Sequence, residues 1–113
     1  ANTVLHMVIE VTSMAWKLFQ VSNGHKSLEN FELEADDVFA VLHQLKVYFQ
    51  ERLDAGEKMG LEVASSVAVE IWIDGAKLTV GWDNWSGLFI MAWDVDGDRI
   101  VQEIKGYMEQ EVG

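Results

Sequence analysis

The stretch "VAVEIWIDGAKLTVGW", residues 67 to 82, is two alternating apolar runs joined by Asp74-Gly75. Alternation of period two sends successive side chains to opposite faces of a strand. A two-residue Asp-Gly connection favours a type I′ hairpin turn, whose twist matches that of the flanking strands. The turn fixes the register. Ile73 faces Ala76, Ile71 faces Leu78, Val69 faces Val80 and Val67 faces Trp82 on one apolar face, while Trp72 faces Lys77, Glu70 faces Thr79 and Ala68 faces Gly81 on the other. Trp72 beside Lys77 predicts a cation–π contact of roughly 0.5–1 kcal/mol.

Next comes "GWDNWSG", residues 81 to 87, in which Gly81, Asp83, Asn84 and Gly87 are turn formers and Gly81 is placed to permit a bulge. The register sends Trp82 to the core face and leaves Trp85 at the loop tip, where it is either an exposed interface anchor or, more commonly for such a residue, folded back onto its own sheet. "LFIMAW", residues 88 to 93, is apolar at every position, so it reads as a central strand with both faces covered, the second by a helix or a partner. Beyond the loop "DVDGD", Ile100, Val101, Ile104, Tyr107 and Met108 form the stripe of a closing helix with Asp98 as its cap.

Upstream, Val38, Val41, Leu42, Leu45, Tyr48, Phe49 and Leu53 keep helical rhythm from about Ala35 to Asp54, with Gly56 as the stop. Asp36 and Asp37 fall in the first turn, where the helix dipole favours acids by roughly 0.3–1 kcal/mol each. Residues 56 to 66 read as a linker between a helical half and a sheet half. Phe31-Glu32-Leu33-Glu34 reads as extended. In residues 1 to 23 the polar set Thr3, His6, Glu10, Ser13, Lys17 and Gln20 predicts a helix stopped at Asn23-Gly24, although the β-branched Val4, Val8, Ile9, Val11 and Val21 make a strand or hairpin the competing assignment. The expected fold is α+β: an antiparallel β-meander of three or more strands with helices packed on it, order roughly α-(β)-α-β-β-β-α, in a single domain over residues 1 to 113.

With 113 residues the chain buries about two-thirds of its unfolded surface. It has no cysteine, which agrees with a reducing, cytoplasmic setting. The apolar N-terminal run has neither a basic leader segment nor a cleavage-type motif, and His6, Glu10, Ser13 and Lys17 are too many polar groups for a membrane span. Ala1 is consistent with removal of an initiator methionine. Nineteen acids against eight bases leave a net charge of −11, and the bases form no cluster. Direct nucleic-acid binding is therefore disfavoured, whereas encounter with a cationic partner is accelerated.

No catalytic motif emerges. His6, His25 and His43 lack metal-ligand spacing and no Cys is present, so neither a metal nor another cofactor is expected. Asp94, Asp96 and Asp98 begin like a calcium loop, but Arg99 stands where glycine is needed and Lys105 where a bidentate glutamate belongs. No serine sits in a nucleophile elbow, and no glycine-rich phosphate loop occurs. An enzyme is not expected.

Acid placement is the remaining signal. Glu29, Glu32, Glu34, Asp36 and Asp37 lie within nine residues, and no base occurs between Lys26 and Lys46. A second set, Asp83, Asp94, Asp96 and Asp98, is expected near Trp85, giving one acidic surface with an aromatic in it if the sheet's loop ends approach the long helix.

A small, acidic, cysteine-free chain with clustered carboxylates and a tryptophan-bearing loop resembles bacterial immunity proteins, such as those of contact-dependent growth inhibition and other polymorphic toxin systems. The resemblance is one of type. It implies a protein that binds one cognate, basic toxin domain and neutralises it, with Glu29, Glu32, Glu34, Asp36, Asp37, Asp83 and Trp85 as partner-binding residues. The competing expectations are a nucleic-acid mimic that inhibits a DNA- or RNA-binding protein, and an oligomerising accessory domain that buries the second face of "LFIMAW".

Overall fold

The structure is a computed structural model and describes residues 16–54, 61–63 and 66–112. The 67–82 hairpin forms strands β5 (Ser66–Ile73) and β6 (Ala76–Asp83), with all seven expected cross-strand pairs in register. Asp74 and Gly75 both take positive φ, 52° and 83°, as the primed turn requires. A second hairpin leads to β7 (Gly87–Ala92), where Asp83 pairs with Gly87.

The remaining strands are β1 (Trp16–Gln20), β2 (Lys26–Asn30), the two-residue β3 (Leu53–Asp54) and β4 (Leu61–Val63). All pairings are antiparallel, in the order β1-β2-β7-β6-β5-β3, with β4 also paired to β5. β7 therefore lies centrally, as its unbroken apolarity predicts. Helices α1 (Asp37–Phe49) and α2 (Val95–Val112) pack on one face. Leu28, Ile90, Val80, Leu78 and Ile71 from the sheet meet Val38, Val41, Leu45 and Phe49 of α1 and Ile100, Val101, Ile104 and Met108 of α2 in one buried cluster. The fold is α+β, a meander under helices.

Several local expectations are corrected. Residues 16 to 20 of the expected first helix are strand β1, hairpinned to β2, and residues 1 to 15 of that helix lie outside the described residues. Trp16 and Leu18 go to the core while Lys17 and Phe19 face away, so pairing with β2 selects the period of two already present in Trp-Lys-Leu-Phe over the helical period. Gly24 does take a positive φ of 86°, but in the β1–β2 turn. The extended segment is Lys26–Asn30, whereas residues 31 and 32 turn the chain.

Helix α1 stops at Phe49, because Gln50 adopts a left-handed φ of 53° and leads through one 3₁₀ turn, Gln50–Arg52, into β3. The expected stop, Gly56, lies outside the described residues. Within the segment taken for a linker, β4 pairs with β5 and Ser66 opens β5; since α1 packs on the same sheet, it does not separate two halves.

Helix α2 begins four residues earlier than expected, at Val95 instead of the residue after Asp98. Asp94 is its cap, its Oδ1 accepting from the Gly97 amide at 2.7 Å, which frees Asp98 for another task. Gly81 makes no bulge: the ladder stays regular and the Phe89 ring lies over it, 2.7 Å from where a Cβ would stand. Lys77 stands over Trp93 instead of Trp72, 4.7 Å from the ring centroid, and its Nζ is 2.6 Å from Glu70. Trp93 follows β7 directly and its Nε1 donates to Thr79 Oγ1 at 2.8 Å, which fixes the indole beside Lys77.

Candidate functional site: an acidic and aromatic sheet end

The acids of residues 29 to 37 and the loop carrying Trp85 occur at the same end of the sheet, for three local reasons. Asn30 pairs with Leu88, so β2 ends beside the start of β7. Gly87, at φ 69°, lies so close to Asn30 and Phe31 that a Cβ would stand 2.5 Å from the Asn30 carbonyl oxygen. Trp82 Nε1 donates to the Leu33 carbonyl at 3.0 Å. The chain is thus held against the β6–β7 loop from residue 30 to residue 33.

Within that loop, Asp83 Oδ1 accepts from the amides of Trp85 and Ser86 at 2.9 and 2.6 Å. A short acidic side chain closes the turn in this way, and the indole is pushed outward. Trp85 is 85% exposed. Trp85 stands at the loop tip as expected, and of the two readings it is the exposed one that holds, since the indole does not fold back onto the sheet.

The five acids of the neighbouring segment separate by role. Glu32, Glu34 and Asp36 are exposed. Asp37 Oδ2 accepts from the Glu34 amide at 2.8 Å, which closes the turn leading into α1. Glu29 is 7% exposed, on the sheet face away from the helices, between Lys17 and Phe89 in register. Burial raises its carboxyl above the ordinary value; the Ser27 hydrogen bond opposes the rise and the nearby charge of Asp83 adds to it. Glu29 is therefore a poor choice for direct contact.

Asp94, Asp96 and Asp98 do not join this site. They follow the far end of β7, about 17–20 Å of strand away. Asp98 anchors the first hairpin: its Oδ2 is 3.0 Å from His25 Nδ1 and its Oδ1 accepts from the Lys26 amide at 2.8 Å. Burial works against the charged form of Asp98, yet the hydrogen bonds from His25 and Lys26 hold its carboxyl below the ordinary value. Asp96 pairs with Arg99. Among the described residues no group of three or more His, Asp or Glu side chains is placed to hold a metal ion.

Two aromatics belong to this region that sequence reasoning did not select. Phe31 and Phe39 are each 54% exposed, Phe31 at the β2 end and Phe39 one turn from Asp36 on the outer side of α1. Phe39 falls off the Val38, Val41, Leu45, Phe49 stripe, and that misfit was its visible signal. The assembled surface holds Glu32, Glu34, Asp36, Asp83, Trp85, Phe31 and Phe39. It offers carboxylates to cationic groups and rings to their aliphatic stems.

Compared with known proteins, the chain matches no family model, no curated protein and no solved structure. Among the described residues no helix is long and apolar enough to cross a membrane.

Proposed function

We propose that the protein is a bacterial, cytoplasmic immunity protein that binds and neutralises one basic toxin domain, without a catalytic step or cofactor of its own. The observation that carries this reading is Trp85, 85% exposed on a loop held rigid by Asp83 and bordered by the acids of residues 32 to 36. An indole presented without its own fold to cover it is the usual anchor of a tight interface, and surrounding carboxylates steer and orient a cationic partner.

The test is affinity capture with tagged protein at low and then moderate salt, followed by mass spectrometry. One stoichiometric basic protein that survives the salt step and is lost with Trp85→Ala supports the reading. A broad set of basic proteins that wash away together favours nucleic-acid mimicry instead, because mimicry rests on long-range charge that salt screens.

A further inference from the structure

We infer that Asn23-Gly24, in the β1–β2 turn, is a site of covalent self-modification, a deamidation that the closed hairpin holds back and that opening of the hairpin releases. It is the only Asn-Gly step in the chain, and both residues are exposed to the water that the reaction consumes. Glycine is the neighbour that permits the chemistry, since it has no side chain to shield its amide nitrogen from the preceding carboxamide. The Gly24 nitrogen gives up its proton and attacks Asn23 Cγ. A C–N bond forms and closes a succinimide ring, while the Cγ–Nδ2 bond breaks with loss of ammonia. Water then opens the ring at either carbonyl and leaves aspartate or isoaspartate. The step needs no oxidant, metal or second protein.

The fold engages both reacting groups. Asn23 Nδ2 donates to the Ala92 carbonyl at 3.0 Å and Oδ1 accepts from the His25 amide at 2.8 Å, so the carboxamide is held at both ends. The Gly24 amide donates to the Val21 carbonyl at 2.9 Å, which opposes loss of its proton. Asp98 clamps the next two residues, accepting from the Lys26 amide and standing 3.0 Å from His25 Nδ1. Reaction therefore waits on local opening, and its rate is the intrinsic rate multiplied by the open fraction. The product works against reclosure. Asn23 Nδ2 is the donor that ties this turn to the end of β7, and a carboxylate there has no proton to offer the Ala92 carbonyl. It also adds a negative charge at the end of the sheet where Asp94, Asp96 and Asp98 follow β7. One reaction thus turns an anchor of the first hairpin into a lasting weak point.

The experiment is peptide mapping by mass spectrometry on the full chain aged at mildly alkaline pH, native and in urea, beside Asp98→Asn and Gly24→Ala, with circular dichroism confirming which samples are folded. Conversion of amide to acid at residue 23 is expected at least about tenfold more slowly in native wild type than in urea. Folded Asp98→Asn should react severalfold faster than native wild type, and Gly24→Ala should hardly react even in urea. Asn23→Asp, which reproduces one product, should show faster hydrogen exchange across β1 and β2 with β5 and β6 unchanged. Equal rates in native and unfolded wild type overturn the inference, a comparison that decides even where Asp98→Asn fails to fold. A folded Asp98→Asn that ages no faster than wild type also overturns it, as does native protein that converts first at Asn30 or Asn84. Unchanged exchange in Asn23→Asp overturns the weakening assigned to the product.

Discussion

Trp82 and Leu33 are joined by an indole-to-carbonyl hydrogen bond of 3.0 Å that spans 49 residues of sequence. It ties the loop before α1 to the strand before the Trp85 turn, and is the one side-chain bond among the three ties that set the acidic sheet end. Trp82→Phe keeps the ring in the core but leaves the carbonyl without its donor. A loss of about 1 kcal/mol is expected. Hydrogen exchange should show faster amides at residues 32 to 36 with β5 and β6 unchanged; unchanged exchange at 32 to 36 would mean that the loop is held by something else.

Trp85→Ala separates binding from folding. Its indole is exposed, so stability should stay within about 0.5 kcal/mol of wild type. Affinity for the captured partner should drop by about 2 kcal/mol or more, roughly a thirtyfold weakening in calorimetry. Equal binding by wild type and variant would remove Trp85 from the interface.

Gly87→Ala should be costly for two reasons that act together. The position has φ 69°, where a side chain is strained, and a Cβ there would press on the Asn30 carbonyl and the Phe31 backbone. A destabilisation of about 1–3 kcal/mol in urea unfolding is expected. The same substitution at Gly24, also at positive φ but with open space around it, should cost less.

Two carboxylates should give opposite pH dependences. Glu29 has a raised folded pKa and binds its proton more tightly when folded, so its contribution is fully present below its ordinary pKa and is lost as pH rises through the folded value. Asp98 has a lowered folded pKa, so its contribution is present above its ordinary value and is lost as pH falls through the folded one. Relative to wild type, Glu29→Gln should therefore gain stability as pH rises out of the acid range. Asp98→Asn should be at its greatest disadvantage near neutrality and recover on acidification. Parallel unfolding curves for both variants across pH would contradict these assignments.

How far the fold could be read ahead followed from where its information lies. The β5–β6 register was legible because Asp74-Gly75 and the period-two alternation are local and agree with one another. The identity of β1 was not, because Trp16 to Gln20 supports two periodicities and the deciding partner, β2, is a short polar-apolar mixture whose own place depends on distant β7. The acidic set was visible as composition, but its division was not. Burial of Glu29, the Asp37–Glu34 contact, turn closure by Asp83 and the outward set of the Trp85 indole depend on neighbours that only folding supplies, whereas the place of Trp85 at the loop tip was legible from its position past the last strand pair.

The placement of β7 between β2 and β6 also governs the order in which the molecule can be assembled. Leu28 must wait for Ile90, about sixty residues later, so the first hairpin emerges from synthesis without the strand that will hold it, a closure that slows folding. The β5–β6–β7 meander, by contrast, has only local connections and can form a template at once. During that interval the edge of β7 that awaits β2 is an open row of backbone donors and acceptors in the most apolar segment of the sheet, and it is there that a crowded nascent chain is most prone to pair with a neighbour instead of with itself.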